Sequence, residues 1–403
     1  MSKATPEALL QKRRDYAGPA LVSYGVRPFF LGAALWASLG MLLWLPQYVG
    51  ALTLPTAMGA LDWHIHEMIF GYVAATIAGF LLTAVPNWTG RLPVNGAPLM
   101  ALSALWLAGR LAILVSAVIG ATTAAVIDVA FLIALAAVAM REVVAGSNWR
   151  NLRVLVLVAV LIAGNILFHV EAIRSGAADY GIRLSISAVI ALIMLIGGRI
   201  VPSFTRNWLV RENPGRLPIP FSKFDGASLA VGVAALLAWT FAPAHPVTGL
   251  LLLLAGVLQA ARLARWAGDR TGRDRLVLVL HVAFAFVPAG FVLTGCAALW
   301  PAAVPATAGV HAFAAGATGL MTLAVMTRAS LGHTGQALAA SPATQAIYVA
   351  AVLAALLRIV AAFTGSIGLV HLAGTAWFVA FFGFAVVFGP LLIGRRPAWA
   401  AAK

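Results

Sequence analysis

Charge is the scarcest commodity in this sequence. Only 10% of its 403 residues are charged, against roughly 25% in a soluble globular domain. Acidic residues number 12 against 27 lysines and arginines. There is one cysteine, Cys296, which excludes an intrachain disulfide and a cysteine-based zinc site. No Cys-x-x-Cys-His run is present, so covalent haem attachment is excluded as well. No Walker loop and no Gly-x-Gly-x-x-Gly fingerprint occur, and the gaps between apolar runs are too short for a nucleotide-binding domain. The first 20 residues are polar and mildly basic, and no short apolar core with a small-residue cleavage site follows. The first apolar run therefore reads as a retained helix rather than a signal peptide.

What the sequence does have is hydrophobicity, at 62% of residues, with a mean hydropathy of +0.96. That is the composition of an all-α polytopic membrane protein in a lipid bilayer. A span needs about 20 mostly apolar residues. Runs of this kind fall near 28–46, 64–86, 97–117, 120–140, 152–173, 181–201, 226–243, 246–266, 275–297, 306–327, 343–363 and 367–392. Twelve transmembrane helices are expected, forming one domain over 27–393. A segment 1–26 precedes it and a tail 394–403 follows. The longest connection is expected over 202–225.

The net charge of +15 is spread over short loops, which argues against nucleic acid. Lys3, Lys12, Arg13, Arg14 and Arg27 precede the first run. Every second loop thereafter is basic: Arg91, then Arg141, Arg150 and Arg153, then Arg206, Arg211, Arg216 and Lys223. Arg265, Arg270, Arg273 and Arg275 follow, then Arg328, and the tail carries Arg395, Arg396 and Lys403. The intervening loops are nearly free of base. Arg174 and Arg183 break the pattern, close to Glu171 and Asp179. By the positive-inside rule both segments 1–26 and 394–403 are cytoplasmic.

That orientation maps the histidines. His64, His66, His169, His311 and His371 all fall at the outer mouths of helices, His245 lies in the outer loop "PAHP", and His281 and His333 fall toward the cytoplasm. A lone histidine at a helix mouth is ordinarily an interfacial polar residue. Convergence from four helices at one depth points instead to ligation of a transition metal, for which imidazole is the commonest ligand. His64 and His66 are two residues apart, so on a regular helix they diverge by about 200°. Two centres, one on each side, is the preferred reading; an irregular helix mouth would let both rings meet one ion.

A faint repeat links helices 2, 6 and 10. "HEMIFG" and "HAFAAG" share His-x4-Gly, while "VPNWT", "VPSFT" and "VMTR" close the three helices on the inner side. Three pseudo-symmetric arcs of four helices, as in haem-copper oxidases, would place these helices equivalently, although this is an analogy only. Helix 6 carries no histidine, which departs from the oxidase copper pattern. Arg110, Asp128 and Arg358 sit within outer halves of helices, where an unpaired charge is expensive. A short turn between helices 3 and 4 would let Arg110 pair with Asp128.

The blocks "YGVRPFFLGAALWA", "WHIHEMIFGYVAATIAGFLLTAVPNWTG", "HVEA", "GGRIVPSFTRNWL" and "HAFAAGATGLMTLAVMTRASLGHTG" resemble the NnrS family, over about residues 22 to 340. Members are described as multi-pass proteins of the bacterial inner (cytoplasmic) membrane that contain haem and copper and are linked to nitric oxide metabolism and nitrosative stress. The resemblance implies that His64, His66, His169, His311 and His371 divide between copper and a non-covalent, b-type haem. Arg110 and Arg358 would hold its propionates, since guanidinium binds carboxylate bidentately. It implies nitric oxide as the ligand and an oxidoreductase that reduces or detoxifies it. Glu67, Glu171 and Tyr72 are then the nearest candidate proton carriers. Quinol or a periplasmic cytochrome would donate electrons. The competing reading is a secondary transporter of a metal or metal–nitrosyl complex, with the same histidines as cargo ligands.

Overall fold

The computed structural model describes residues 16–395. Lys3, Lys12, Arg13, Arg14, Arg396 and Lys403 lie outside the described residues, as does most of the segment 1–26. Among the described residues there is no strand, and twelve helices are long and apolar enough to cross a membrane. The protein is an all-α, multi-pass membrane protein. The first six helices are α1 (Val26–Tyr48), α2 (Ala60–Thr89), α3 (Gly96–Leu114), α4 (Ala121–Ala145), α5 (Trp149–Ser175) and α6 (Tyr180–Glu212). They are followed by α7 (Lys223–Phe241), α8 (Pro246–Ala264), α9 (Arg275–Leu299), α10 (Ala306–Thr334), α11 (Pro342–Thr364) and α12 (Ile367–Ile393).

In hydrocarbon every backbone N–H and C=O must be satisfied internally, which is why the apolar runs are helical throughout. Their ends follow local chemistry. Asp274 caps α9 by accepting the N–H groups of Leu276 and Val277 at 2.9 and 3.2 Å. Ser222 and Asp225 form a capping box at α7, satisfying donors the helix leaves orphaned. Gly90 and Gly176 end α2 and α5 in the left-handed region, at φ of 69° and 77°, a conformation only glycine adopts without strain.

The expected spans match these helices closely, with two exceptions. α6 and α10 run on past their apolar parts, to Glu212 and Thr334. The connection expected over 202–225 is therefore short, because residues 202–212 are helical. Pro202 sits inside α6 without ending it, as membrane helices tolerate. Arg206 and Arg211 are exposed on this extension, where long basic side chains reach water.

Three helices are not regular. A π-helical segment occupies Glu67–Val73 in α2, Ile193–Gly197 in α6 and Ala312–Gly319 in α10. These are the helices that share the sequence repeat. π segments are rare and concentrate at functional positions. In α10 the register shift shows in a side chain too: the Thr318 hydroxyl donates to the carbonyl five residues back, at Phe313, at 2.9 Å.

The chain divides into two compact units. The first comprises α1–α5, the end of α10 (329–337) and residues from 385 onward; the second holds 179–328 and 338–384. Within the first unit α2 packs on α1 and α4, and α4 on α3 and α5. Val85, Ala139, Val143 and Leu155 form a core there, with Trp88 and Leu152 against it. Arg27, buried at the start of α1, donates to the carbonyls of Leu392 and Gly394 at 2.7 and 2.8 Å. Orphan carbonyls at the C-terminal end of α12 are thus capped by a cation, which also suits the helix dipole. Within the second unit α8 packs on α7 and α9, and α10 on α9 and α11.

Candidate metal centre

The first unit buries an ionised network between α1, α2, α3, α4 and α5. Arg110 of α3 donates through Nη1 to both oxygens of Glu67, at 2.7 and 2.8 Å, and through Nη2 to Asp128 Oδ1. The pairing that the short α3–α4 turn allowed therefore forms, and Glu67 joins it. Glu67 also accepts from the Trp36 indole at 2.6 Å and from His66 Nδ1 at 2.9 Å. Asn165 donates to Asp128 Oδ2 at 2.9 Å. Glu67 and His66 are 0% exposed, Arg110 1%, Asp128 2% and His169 4%. Burial this complete is tolerable for charges only when they are paired and hydrogen-bonded.

At the centre three potential ligand atoms converge. His66 Nε2 lies 3.2 Å from His169 Nε2 and 3.2 Å from Asp128 Oδ2. His169 Nε2 lies 3.1 Å from the same oxygen. A tetrahedral ion with nitrogen or oxygen ligands about 2.0–2.1 Å away spaces them about 3.3 Å apart. The three atoms thus have the dimensions of one face of such a shell.

Hydrogen bonding can satisfy the two rings, because His169 Nε2 can carry the proton that His66 Nε2 or Asp128 Oδ2 accepts, but it leaves the charge unbalanced. His66 Nδ1 donates to Glu67, so in neutral His66 the Nε2 offers only a lone pair. It faces Asp128 Oδ2, another acceptor. Two carboxylates against one guanidinium also leave one negative charge in excess. That excess calls for one positive charge, from a proton within the cluster or from a metal ion. The acceptor on the far ring nitrogen is the usual partner that fixes a ligating imidazole.

Local sequence explains how the backbone admits this packing. Gly71, in the π segment, has Trp36 and Arg110 so close that a Cβ would meet the Trp36 indole nitrogen and Arg110 Nη1. Its carbonyl accepts from Trp106 at 2.9 Å. Phe70 and Phe168 wall the His66 ring, at centroid distances of 5.0 and 5.2 Å. Asn165 and His169 are four apart on α5 and so share a face.

The structure brings together His66, His169, Glu67 and Arg110 from the expected residues. His64 turns away and stacks on Trp44, ring centroids 4.0 Å apart. Glu171 is half-buried and lies two residues past His169, about 200° around α5. Tyr72 is buried in the π segment, and its carbonyl accepts from Thr76 at 3.2 Å. His311, His371 and Arg358 belong to the second unit. There His311 Nδ1 donates to the Thr307 carbonyl at 2.7 Å, and Arg358 lies near enough to act on it electrostatically. His371 is half-buried on α12. His245 caps α8, accepting from Val247 N–H at 3.2 Å. Asp128 was legible as a partner for Arg110 but not as a member of the histidine cluster. Asn165 and Trp36 went unread, although the Asn165–His169 spacing was available.

A family model described as NnrS protein matches residues 20–396. No curated protein matches the chain.

Proposed function

This chain belongs to the NnrS family, and from that premise we propose that the His66–Asp128–His169 cluster is the copper site of an inner-membrane protein that binds and reduces nitric oxide. The observation that carries the reading is the mutual 3.1–3.2 Å spacing of three buried ligand atoms from α2, α4 and α5. Among first-row divalent ions an N/O site of this kind favours copper most strongly. A bound cation would offset the buried excess of negative charge. The ligands are locked by Arg110, Asn165 and Glu67, which favours a resident ion over transported cargo.

Haem does not fit on His66 or His169. Their Nε2 atoms face each other at 3.2 Å, which leaves no room beside either for a macrocycle. His311 fits better. Its Nδ1 is fixed as a donor to Thr307, so the Nε2 lone pair is the atom that would hold haem iron. We assign a b-type haem to His311, with Arg358 at a propionate and His371 as the other candidate ligand of that unit; His64 is a candidate ligand within the first unit. When bound, haem iron and copper supply the coordination of nitric oxide and the electron transfer. Reduction to nitrous oxide takes two nitric oxide molecules, two electrons and two protons, and releases water. Glu67, with its oxygens taken by Arg110, Trp36 and His66, serves to orient His66. Glu171 and Tyr72 are left as proton carriers, and quinol or a periplasmic cytochrome as the donor.

The test is copper and haem quantification on purified wild type, His66→Ala, His169→Ala and His311→Ala. Wild type should hold both. The first two variants should lose copper and keep the Soret band, while the third should lose the Soret band. A well-folded, colourless, copper-free wild type would overturn the reading and favour the transporter. Orientation has its own check. The basic loops should face the cytoplasm, with both termini. Reporter fusions in 87–97 should read inside and those in 298–305 outside; the reverse pair would invert the map.

A further inference from the structure

The second unit holds a cavity of about 510 Å³ where α6 ends, α9 and α11 begin and α10 approaches its end. Its wall carries four arginines, Arg211, Arg273, Arg275 and Arg328, against two acids, Glu212 and Asp274. Asp274 is partly committed, since its Oδ1 accepts from two backbone N–H groups as the cap of α9. Beyond that cap the first turn of α9 has no acidic residue. Arg273 and Arg275 therefore stand at the positive end of a helix dipole, where cations are disfavoured. The start of α11 adds a second such end, through Gln345 in the wall. Positive potential thus accumulates around one volume from six sources.

Arg328 gives that volume a direction. Its guanidinium carbon lies 4.2 Å over the Phe204 ring, which fixes the plane of the head group. Its Nη1 is buried and has no hydrogen-bond partner. A buried donor left unmade is costly, about 1–3 kcal/mol and more when charged. An acceptor belongs beside it.

We propose that this cavity binds a phosphate group. Planar guanidinium forks match phosphate oxygens two at a time, and the volume is that of an ordinary ligand site. The group comes either from an anionic phospholipid at the membrane surface or from free phosphate. The proposal is independent of the metal reading, since it uses none of the same residues.

The experiment measures thermal melting of the detergent-purified full chain against three probes: inorganic phosphate, dioctanoyl phosphatidylglycerol and dioctanoyl phosphatidylcholine. Phosphatidylglycerol or phosphate should raise the melting temperature of wild type. Arg328→Gln and the double variant Arg273→Gln, Arg275→Gln should each weaken the half-maximal concentration at least about tenfold. The control pair Arg150→Gln, Arg153→Gln, basic residues of the first unit, should respond as wild type does. Stabilisation by phosphatidylglycerol alone identifies a lipid headgroup; stabilisation by inorganic phosphate identifies the free anion. The proposal fails if phosphatidylcholine matches phosphatidylglycerol while phosphate does nothing, or if the arginine variants respond like wild type. Arg273 and Arg275 are exposed, so their double variant decides the matter even if Arg328→Gln does not fold.

Discussion

Replacing Arg110 with glutamine is expected to destabilise the protein by about 3–5 kcal/mol, the usual effect of removing one partner from a buried ion pair. Arg110 is the shared cation of two carboxylates, Glu67 and Asp128, and each is at most 2% exposed. Without it both acids stay buried with only neutral donors. Melting of the detergent-purified variant should show the loss directly. Adding Asp128→Asn should restore part of it, and adding Glu67→Gln as well should restore most of the rest. Full recovery with Asp128→Asn alone would show that Glu67 does not depend on Arg110. The same series tests a propionate role. Both Arg110 terminal nitrogens are engaged, and only Nε has no hydrogen-bond partner. If a haem propionate sat there, the stabilised double variant would lose its Soret band; with the ion-pair role alone the band stays.

Glu67→Gln is expected to lower copper affinity about 10–100-fold while leaving all three ligand atoms in place, the effect typical of a lost partner behind a metal-bound histidine. Glu67 touches no ligand position itself. It holds Nδ1 of His66 at 2.9 Å and so aims Nε2 at the cluster. The amide keeps the size of the side chain but removes the charge that makes the imidazole a better donor. It also cancels the excess negative charge that a bound cation would balance. Copper remaining after a graded chelator challenge is the readout, with the Soret band as an internal control. A variant that resists the chelator as well as wild type would remove Glu67 from this role.

Much of this was readable from the residues. The twelve helices follow from apolar length alone, because hydrocarbon leaves the backbone no other choice. The pairing of Arg110 with Asp128 follows from depth and a short turn. The π segments were not legible, since the same apolar residues suit either register and the choice depends on what packs against Gly71 and its counterparts. Only the weak repeat across α2, α6 and α10 marked those helices. Trp36 in an apolar helix looks like any membrane aromatic until its indole is found on a carboxylate. Sequence gives the depth of Asp128 and not the direction of its second oxygen, so there it reads only as a countercharge. The five histidines shared a depth in the sequence, yet His66 and His169 alone share a cluster with a carboxylate in the first unit.

The grip of Arg27 on the carbonyls of Leu392 and Gly394 has a meaning in time. Residues leave the ribosome in order, and His66, Asp128 and His169 all precede residue 178, the last of the first unit's opening stretch. The cluster can assemble before α6 to α12 are made. The guanidinium at the head of α1 must meanwhile wait until the last turn of α12 is threaded into the bilayer. Completion of the first unit therefore waits on the end of α12, and a chain stalled before residue 392 would carry its metal ligands in a body that has not yet been sealed.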